Sequence, residues 1–288
     1  MYKYRICDIN VRSELLIPFL VLSNSKNSNL EKLDIKFHNS PVDFSISKGE
    51  IIFEEGSVYH KDKFGTIFKI TNDSKIIIFS NNNDIKHVNQ SIIGIPFGYA
   101  LSNKGFNVVH GSSVSIGNNA ACIFGFSGQG KSTLALSLIN KGFKFLTEDL
   151  CIFKDEKIYQ FNPWVKTTTK LIRDLNIDIE EEVKLFQDSR ERNLFKIQEK
   201  DCSKKCTPKI AYFIVEDEKK SIKNIAKSEA FEFLFTNFYR FDNKKSSDLQ
   251  RMTNILESLD FYIYKRDINA PIEENSEYLS SHMKELIG

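Results

Sequence analysis

The sequence has few cysteines, and they follow no regular pattern. The five cysteines are odd in number and irregularly spaced, which argues against a disulfide framework. Cys202 and Cys206 are spaced like half of a zinc site, but no matching His/Cys pair stands elsewhere in the sequence. We therefore interpret all five as free thiols, and we expect a reducing, cytoplasmic location.

An excess of charge of either sign is missing as well. The 288 residues include 40 Lys and Arg against 38 Asp and Glu, which gives a net charge of +2. This balance provides no electrostatic reason to expect a nucleic acid or a membrane surface as partner. The sequence also lacks a long apolar run, since Leu15–Leu22 is too short to span a membrane and contains Pro18.

What the sequence does contain is a phosphate-binding loop. Residues Gly125–Ser132 fit the pattern G-x-x-x-x-G-K-[ST]. The apolar run Ala120–Phe124 precedes it as a predicted buried strand, and the helix-forming run Lys131–Lys141 follows it. Glycines allow the backbone N–H groups to turn inward, and the start of a helix adds a positive dipole. The stretch therefore predicts a site for the phosphates of a nucleotide.

The polar residues of this loop have separate expected roles. Lys131 is expected to bind the β- and γ-phosphates of ATP, and the Ser132 hydroxyl to ligate Mg²⁺. The predicted nucleotide-binding residues are Gly125, Ser127, Gly128, Gln129, Gly130, Lys131, Ser132 and Thr133.

Two adjacent acids follow the next predicted strand, Lys144–Leu146. Glu148 and Asp149 stand sixteen and seventeen residues beyond Ser132. One carboxylate can hold Mg²⁺ while the other accepts the proton of an attacking hydroxyl. Because neighbouring side chains of a strand point to opposite faces, both acids can act together only if the chain bends here.

These motifs together resemble a known family of kinases. They are similar to the C-terminal domain of HPr kinase/phosphorylase, and closer still to the HPr-kinase-like peptide kinases of the lasso-peptide type. The dense match covers about residues 105–155. The matching residues are His110-Gly111-Ser112, Gly125–Thr133, Leu134-Ala135, Gly142 and Thr147-Glu148-Asp149. The resemblance implies a mixed α/β fold with a P-loop kinase core related to phosphoenolpyruvate carboxykinase, and transfer of the γ-phosphoryl group of ATP to a hydroxyl.

The resemblance also assigns roles to individual residues. His110 matches the active-site histidine of the family, and Asp149 matches the second of its two acids. Glu148 stands where the family usually has aspartate, so it stays open which acid is the base and which holds Mg²⁺. We predict His110, Glu148 and Asp149 as catalytic, and Ser132, Glu148 and Asp149 as metal ligands.

Four cations downstream are predicted to stabilise charge or to contact the acceptor. Lys166 and Lys170 follow a proline-containing segment that resembles one in the family. Arg190 and Arg192 lie in a basic stretch where family members place a loop near the acceptor. A cation near the equatorial oxygens favours phosphoryl transfer.

A shift in composition near residue 100 suggests two parts. Residues 1–100 are predicted as a β-rich N-terminal region, and residues 101–288 as the HPr-kinase-like P-loop catalytic domain. At the end of the first region, Val88–Leu101 has an apolar pattern that predicts a helix despite Pro96. Repeats and low-complexity linkers are absent from the sequence.

The favoured hypothesis is a kinase that depends on ATP and Mg²⁺. Its acceptor would be a serine of a peptide, such as a precursor peptide, or of a carrier protein, or a small alcohol. Bona fide HPr kinases carry a second, Gly-rich signature loop after the acids, and no such run stands between Asp149 and Lys209, which favours a peptide or small-molecule acceptor. Relatives often form oligomers, so a homo-oligomer is also implied, while GTP or pyrophosphate as donor stays open.

Two alternatives remain at this point. One is a nucleotide-binding regulator or scaffold that needs the loop but neither His110 nor the acids. The other is an ordinary P-loop NTPase, which requires an apolar strand ending in an acid well downstream of the loop. The pair Phe145-Leu146 before Glu148 is short for such a strand.

Overall fold

The computed structural model describes residues 1–23, 30–40, 44–54, 56–80, 86–185, 188–240 and 246–288. Its internal contacts divide the chain into two compact units. The first runs from Met1 to Val108 and includes a short segment that starts at Tyr239, and the second comprises Val109–Phe238 and Ser246–Gly288. The expected mixed α/β class is confirmed, since the chain combines mixed sheets with seven helices among the described residues.

The first unit is built on one mixed sheet. Its strands are β1 (Tyr2–Ile6), β2 (Ile9–Ser13), β3 (Glu31–His38), β4 (Ile51–Glu54), β5 (Ser57–Lys61), β6 (Ile67–Thr71) and β7 (Lys75–Phe79). They lie side by side in the order β1-β2-β3-β7-β6-β5-β4. Burial alternates along β2 and β7, where Ile9, Val11, Ile76 and Ile78 are buried. One face of these strands therefore packs in a core, as a period of two requires.

Two helices of the first unit occupy a stretch that the sequence predicted as a single helix. Helix α1 (Lys86–Ile92) and helix α2 (Ile95–Asn103) are separated at Gly94, and Pro96 lies in the first turn of α2. Proline lacks an N–H group and is tolerated in a first turn, where that group has no intrahelical partner. The prediction of one continuous helix was therefore wrong.

Helix α2 also accounts for where the first unit ends. The ring of Tyr99 meets Phe53 edge-on, with 5.7 Å between the ring centroids. The Asn103 side chain donates to the carbonyl oxygen of Thr71 at 3.0 Å. Because this helix packs on the first sheet, the first unit continues to Val108, beyond the composition change near residue 100.

The remaining strands form a large sheet and a small one. They are β8 (Asn107–His110), β9 (Ser112–Ile116), β10 (Asn119–Phe124), β11 (Lys144–Thr147), β12 (Leu150–Lys154), β13 (Lys157–Tyr159), β14 (Trp164–Thr168), β15 (Ile179–Lys184), β16 (Arg192–Ile197), β17 (Lys205–Asp217), β18 (Ser221–Asn224) and β19 (Asp260–Asp267). The helices that follow α2 are α3 (Lys131–Ile139), α4 (Thr169–Asp174), α5 (Lys227–Asn237), α6 (Ser246–Ser258) and α7 (Ile272–Ile287).

Strands β11, β10, β17 and β19 of the large sheet share one direction. Strand β9 is antiparallel to both of its neighbours, β10 and β11, so those two share one direction. Strand β10 is parallel to β17, and β17 is parallel to β19. The carboxyl ends of β11, β10, β17 and β19 therefore lie along one edge of the sheet, in that order, with the start of β9 between the first two.

Helices cover both faces of this sheet. On one face, Ala121 and Ile123 of β10 share a core with Leu134 of α3 and Met283 of α7. On the other face, Cys122 and Phe124 share a second core with residues of α5 and α6. A strand buried on both faces has a continuous apolar sequence, which explains why β10 could be predicted.

The small sheet consists of three antiparallel strands in the order β14-β16-β15. Val165 and Phe195 of this sheet pack with Ile172 of α4, Leu136 of α3 and Phe145 of β11 in a third core. This packing brings the middle of β14 beside the end of β11.

Two expectations about the whole chain can be compared with the structure. All five cysteines are free thiols, as their spacing indicated. Within the described ranges, the helices are too short or too polar for any of them to cross a membrane.

Asn275 ties the end of β19 to the start of α7. Its side chain is fully buried, and Nδ2 donates to the carbonyl oxygen of Asp267 at 2.9 Å. Its Oδ1 accepts the backbone N–H of Asp267 at 3.1 Å and the hydroxyl of Tyr264 at 3.0 Å. A buried amide with these partners fixes the path of the chain just after Arg266.

We expect Asn275→Ala to lower the free energy of unfolding of the second unit by about 1–3 kcal/mol, because it leaves buried polar groups unpaired. Trp164, the single tryptophan of the sequence, is buried in this unit, so its fluorescence during urea unfolding reports the change. Ser281→Ala is the control, since Ser281 is exposed and bonds within its own helix. Equal unfolding midpoints for the two variants would contradict the prediction.

Candidate active site

The predicted phosphate-binding loop, Gly125–Ser132 (the phosphate loop below), connects β10 to α3 at the edge where the four strand ends lie. Gly125 and Gly130 have φ angles of 147° and 88°, a region that favours glycine. The Oε1 atom of Gln129 accepts the backbone N–H of Phe126 at 2.6 Å and closes the loop. A Cβ on Gly125 would lie 2.6 Å from that same oxygen, so a side chain at this position would open the loop.

Lys131 folds back over the loop from the first turn of α3. Its Nζ donates to the carbonyl oxygens of Gly125 at 2.9 Å and Phe126 at 3.1 Å. An ammonium group has three N–H donors, and among the described residues no third hydrogen bond occupies the last one. Burial lowers the pKa of Lys131, and the charges of Asp149 and Glu148 oppose that shift. The remaining donor can therefore serve a phosphate oxygen.

Glu148 connects the loop helix to the small sheet. One carboxylate oxygen accepts a hydrogen bond from the hydroxyl of Ser132, and the other accepts the backbone N–H of Lys166 at 2.6 Å. Burial, followed by the charge of Asp149, raises the pKa of Glu148 to about 7. The carboxyl group is buried, yet both of its oxygens have partners.

Asp149 lies in a tight turn between β11 and β12. Its φ is 61°, and the N–H of Leu150 donates to the carbonyl oxygen of Glu148 at 2.7 Å, across one residue. The Asp149 carboxylate pairs with Nζ of Lys166 at 3.0 Å. Burial alone would raise the pKa of Asp149, but the Lys166 charge above all outweighs burial and brings it to about 2.

This turn is the bend that the sequence argument required. A regular strand would direct the side chains of Glu148 and Asp149 to opposite faces. With Asp149 in the left-handed region, both carboxylates instead contact Lys166, one through its backbone N–H and one through its ammonium.

His110 holds the backbone of this turn. Its Nδ1 lies 3.1 Å from the carbonyl oxygen of Asp149, and the N–H of Gly111 donates to the same oxygen at 3.3 Å. A carbonyl oxygen only accepts, so Nδ1 carries the proton and Nε2 is left as an acceptor. Burial lowers the pKa of His110, which keeps the ring neutral at pH 7. A Cβ on Gly111 would lie 2.5 Å from the Phe124 ring, so glycine is required there.

The four predicted cations occupy different positions. Lys166 lies within the site, as described above. Arg192 binds Asp188 through two hydrogen bonds of 3.1 and 2.7 Å. The hydrogen bond to Asp188 raises the pKa of Arg192, and the charges of Asp149 and Glu148 add a smaller rise. Arg192 therefore lies close enough to the acid pair to interact with it electrostatically.

The other two cations are exposed. The guanidinium of Arg190 lies 3.9 Å from where a Cβ on Gly128 would be, so it borders the phosphate loop. Lys170 projects from α4 and pairs with Asp174 one turn away, with 83% of its side chain exposed. The structure therefore does not place Lys170 with the acid pair.

The remaining predicted residues lie on the loop or just after it. Ser127 and Gly128 are exposed at its tip, and Thr133 is half-buried in the first turn of α3. Their positions allow backbone and side-chain contacts with a phosphate chain over the start of α3.

Sequence reasoning missed Arg266, the penultimate residue of β19. A Cβ on Gly130 would lie 3.7 Å from Cζ of Arg266, so this guanidinium also borders the loop. The sequence signal for Arg266 was the apolar run Phe261–Tyr264 followed by two cations. In the structure, this strand ends at the same edge of the sheet as β10. Only the strand order shows that these two strand ends are close.

The donor groups of the site suit Mg²⁺. Ser132 and the acid pair provide a hydroxyl and carboxylate oxygens, the hard ligands that this ion prefers. In the described part of the chain, no group of three or more His, Cys, Asp and Glu side chains forms a cage for a metal ion. Mg²⁺ typically binds through one or two carboxylates together with phosphates and water, so the residues present fit that ion.

The sequence matches none of the known protein-family models and none of the curated proteins. Among solved structures, the chain is similar to the Hpr(Ser) kinase/phosphatase from Coxiella burnetii. The aligned part has 10% sequence identity, covers 63% of this chain and 99% of that one, and has a TM-score of 0.34. The likeness is distant, and the site is therefore interpreted from its own geometry.

Proposed function

We propose that the protein is a kinase that uses ATP and Mg²⁺ and transfers the γ-phosphoryl group to a hydroxyl of an acceptor. The observation that carries this proposal is the contact between the Ser132 hydroxyl and Glu148, with Asp149 and Lys166 beside it. A phosphate loop alone suits any nucleotide-binding protein. An acid pair adjoining the loop helix adds the groups that phosphoryl transfer requires.

The phosphate chain is bound by the loop and the start of α3. The backbone N–H groups of the loop and the helix dipole attract the phosphate oxygens, and Lys131 adds a positive charge at the β- and γ-phosphates. Ser132 and Glu148 are the residues that would hold Mg²⁺. When bound, this ion supplies positive charge that neutralises and orients the phosphate oxygens.

In the proposed transfer step, Asp149 is the base. The acceptor oxygen forms a bond to the γ-phosphorus, and the bond from that phosphorus to the β,γ-bridging oxygen breaks, which releases ADP. The acceptor's proton passes to Asp149, because both oxygens of Glu148 already accept hydrogen bonds, from Ser132 and from the backbone N–H of Lys166. Lys166 holds this carboxylate in position, and His110 acts as a positioning residue that fixes the backbone of Asp149.

The acceptor is proposed to be a serine of a peptide or carrier protein, or a small alcohol. The resemblance of His110-Gly111, the loop and the acid pair to the HPr-kinase-like peptide kinases supports this class. The same resemblance supports a P-loop kinase core of the HPr kinase and phosphoenolpyruvate carboxykinase type.

An ordinary NTPase would place its acid at the end of the strand next to the loop strand. Here that strand is β17, and its last two residues are Glu216 and Asp217. Both are paired with cations of β19, at 2.5 Å and 2.7 Å. The Ser132 hydroxyl instead contacts Glu148, which favours the acid pair after β11 as the functional one.

Lys131→Ala is expected to weaken the binding of Mg–ATP by about tenfold or more, since a charged hydrogen bond to phosphate is lost. Isothermal titration calorimetry with excess Mg²⁺ measures the affinity. Lys170→Ala is the control, because Lys170 is an exposed lysine outside the site and should leave the affinity unchanged. Failure of the unmodified protein to bind Mg–ATP at millimolar concentration would refute the proposed function.

Asp149→Asn is expected to slow transfer from γ-labelled ATP by about 100-fold or more, while the affinity for Mg–ATP is retained, because the base is lost but the loop is intact. Glu148→Gln should instead weaken the dependence of ATP binding on Mg²⁺ concentration. The acceptors to test are serine-containing peptides, carrier proteins and small alcohols.

Asp174→Asn provides the control for this pair of variants, because Asp174 is also paired with a lysine but lies outside the site. Transfer by Asp149→Asn at the rate of the unmodified protein would rule out Asp149 as the base. A protein that binds Mg–ATP but transfers to none of these acceptors would instead favour the regulator or scaffold.

A further inference from the structure

The end of β19 brings a partly unpaired guanidinium to the phosphate loop. Cζ of Arg266 lies 3.7 Å, and its Nε 3.9 Å, from where a Cβ on Gly130 would be. Its Nη2 donates to Glu216 at 2.5 Å, and 21% of its side chain is exposed. The Nε atom is buried, and it has no hydrogen-bond partner among the described residues. An N–H donor in this state is suited to an acceptor that a ligand provides.

Strand order places Arg266 on the opposite side of the loop from the acid pair. Along the functional edge, β11 ends at the acids, β10 ends at the loop, and β19 ends at Arg266. The loop therefore lies between the acid pair on one side and Arg266 on the other. A phosphate chain that crosses the loop has one end near the acids and the other near β19.

The contact between Ser132 and Glu148 indicates which end of the phosphate chain lies near the acids. In the proposed reaction, the γ-phosphate must be near the acids, where the acceptor is deprotonated. The α- and β-phosphates then extend from the loop toward the ends of β17 and β19. Arginine suits this position, because its planar fork binds phosphate oxygens through two N–H groups and keeps its charge at all relevant pH values.

We propose that Arg266 binds the phosphates that are not transferred, and that Glu216 positions its guanidinium. This inference rests on the proposed function. Because β19 is the strand farther from the acids, this contact is to the α-phosphate. The leaving group's charge collects on the β-phosphate, so a contact to the α-phosphate is nearly the same in the ground state and in the transition state. Arg266 therefore determines affinity for the nucleotide and leaves the rate of transfer unchanged.

The experiment compares Arg266→Ala with the unmodified protein in the binding of Mg–ATP and Mg–ADP by calorimetry. Both affinities should fall by about tenfold or more, and by the same factor, because both nucleotides contain the α- and β-phosphates. In transfer assays KM for ATP should rise while kcat stays constant. Lys265→Ala is the matched control, since it removes the neighbouring ion pair, with Asp217, and should change neither value.

Two conservative variants separate binding from a structural role. Arg266→Lys keeps the charge and should recover part of the lost affinity, and Glu216→Gln should weaken binding less than Arg266→Ala. Unfolding midpoints of all variants, followed by Trp164 fluorescence, identify any that are destabilised. If Arg266→Ala does not fold, the affinities of Arg266→Lys and Glu216→Gln decide the question, and unchanged values for both overturn the proposal.

The proposal for Arg266 is also overturned if a folded Arg266→Ala variant binds both nucleotides with unchanged affinity. A fall in kcat with constant KM overturns it as well, because that result would place Arg266 at the transferred group. In both cases loss of binding in Lys131→Ala would leave the proposed function standing. If the unmodified protein bound no nucleotide, the proposed function and this assignment would fail together.

Discussion

The common direction of strands β11, β10, β17 and β19 is the constraint on which the site depends. Side chains far apart in sequence meet only because their strands end at one edge of one sheet. The antiparallel β9 contributes from its opposite end, which is why His110 and Gly111 reach the turn at Asp149. Reversing any one strand would move its residues to the far edge and remove them from the site.

Charge balance explains how a buried acid, Glu148, and a half-buried one, Asp149, can lie side by side next to a phosphate loop. An unpaired carboxylate in such a place is strongly disfavoured, whereas one with complete hydrogen bonds is tolerated. Lys166 meets both requirements, because its backbone N–H binds Glu148 and its ammonium binds Asp149. The two pKa values separate, because burial and the Asp149 charge raise the pKa of Glu148, whereas the Lys166 charge lowers the pKa of Asp149. Such separation is what assigns different roles to similar groups.

The sequence predicted the parts of the site that are local and missed those that depend on strand order. The loop and its flanking strand and helix follow from residues close together in the chain, whereas the bend at Glu148–Asp149 was only a condition for both acids to act together. The break at Gly94 was missed because the apolar pattern continued across it. Lys170 and Lys166 look alike in sequence, yet β14 places Lys166 beside the acids while α4 places Lys170 in solvent. Arg266 required knowledge of which strand lies beside β17.

The hydrogen bonds of the acid pair depend on how the small sheet packs, because Lys166 lies on a strand of that sheet. Lys166 belongs to β14, whose core contacts include Phe145, just before the acids. Until this sheet packs against β11, the two carboxylates that accept from Lys166, those of Glu148 and Asp149, would lack this partner. Substitutions in the core around Val165 and Phe195 would therefore change the acid pair without touching it, through the position of one strand. The geometry of the acid pair and the packing of the small sheet are thus linked through Lys166.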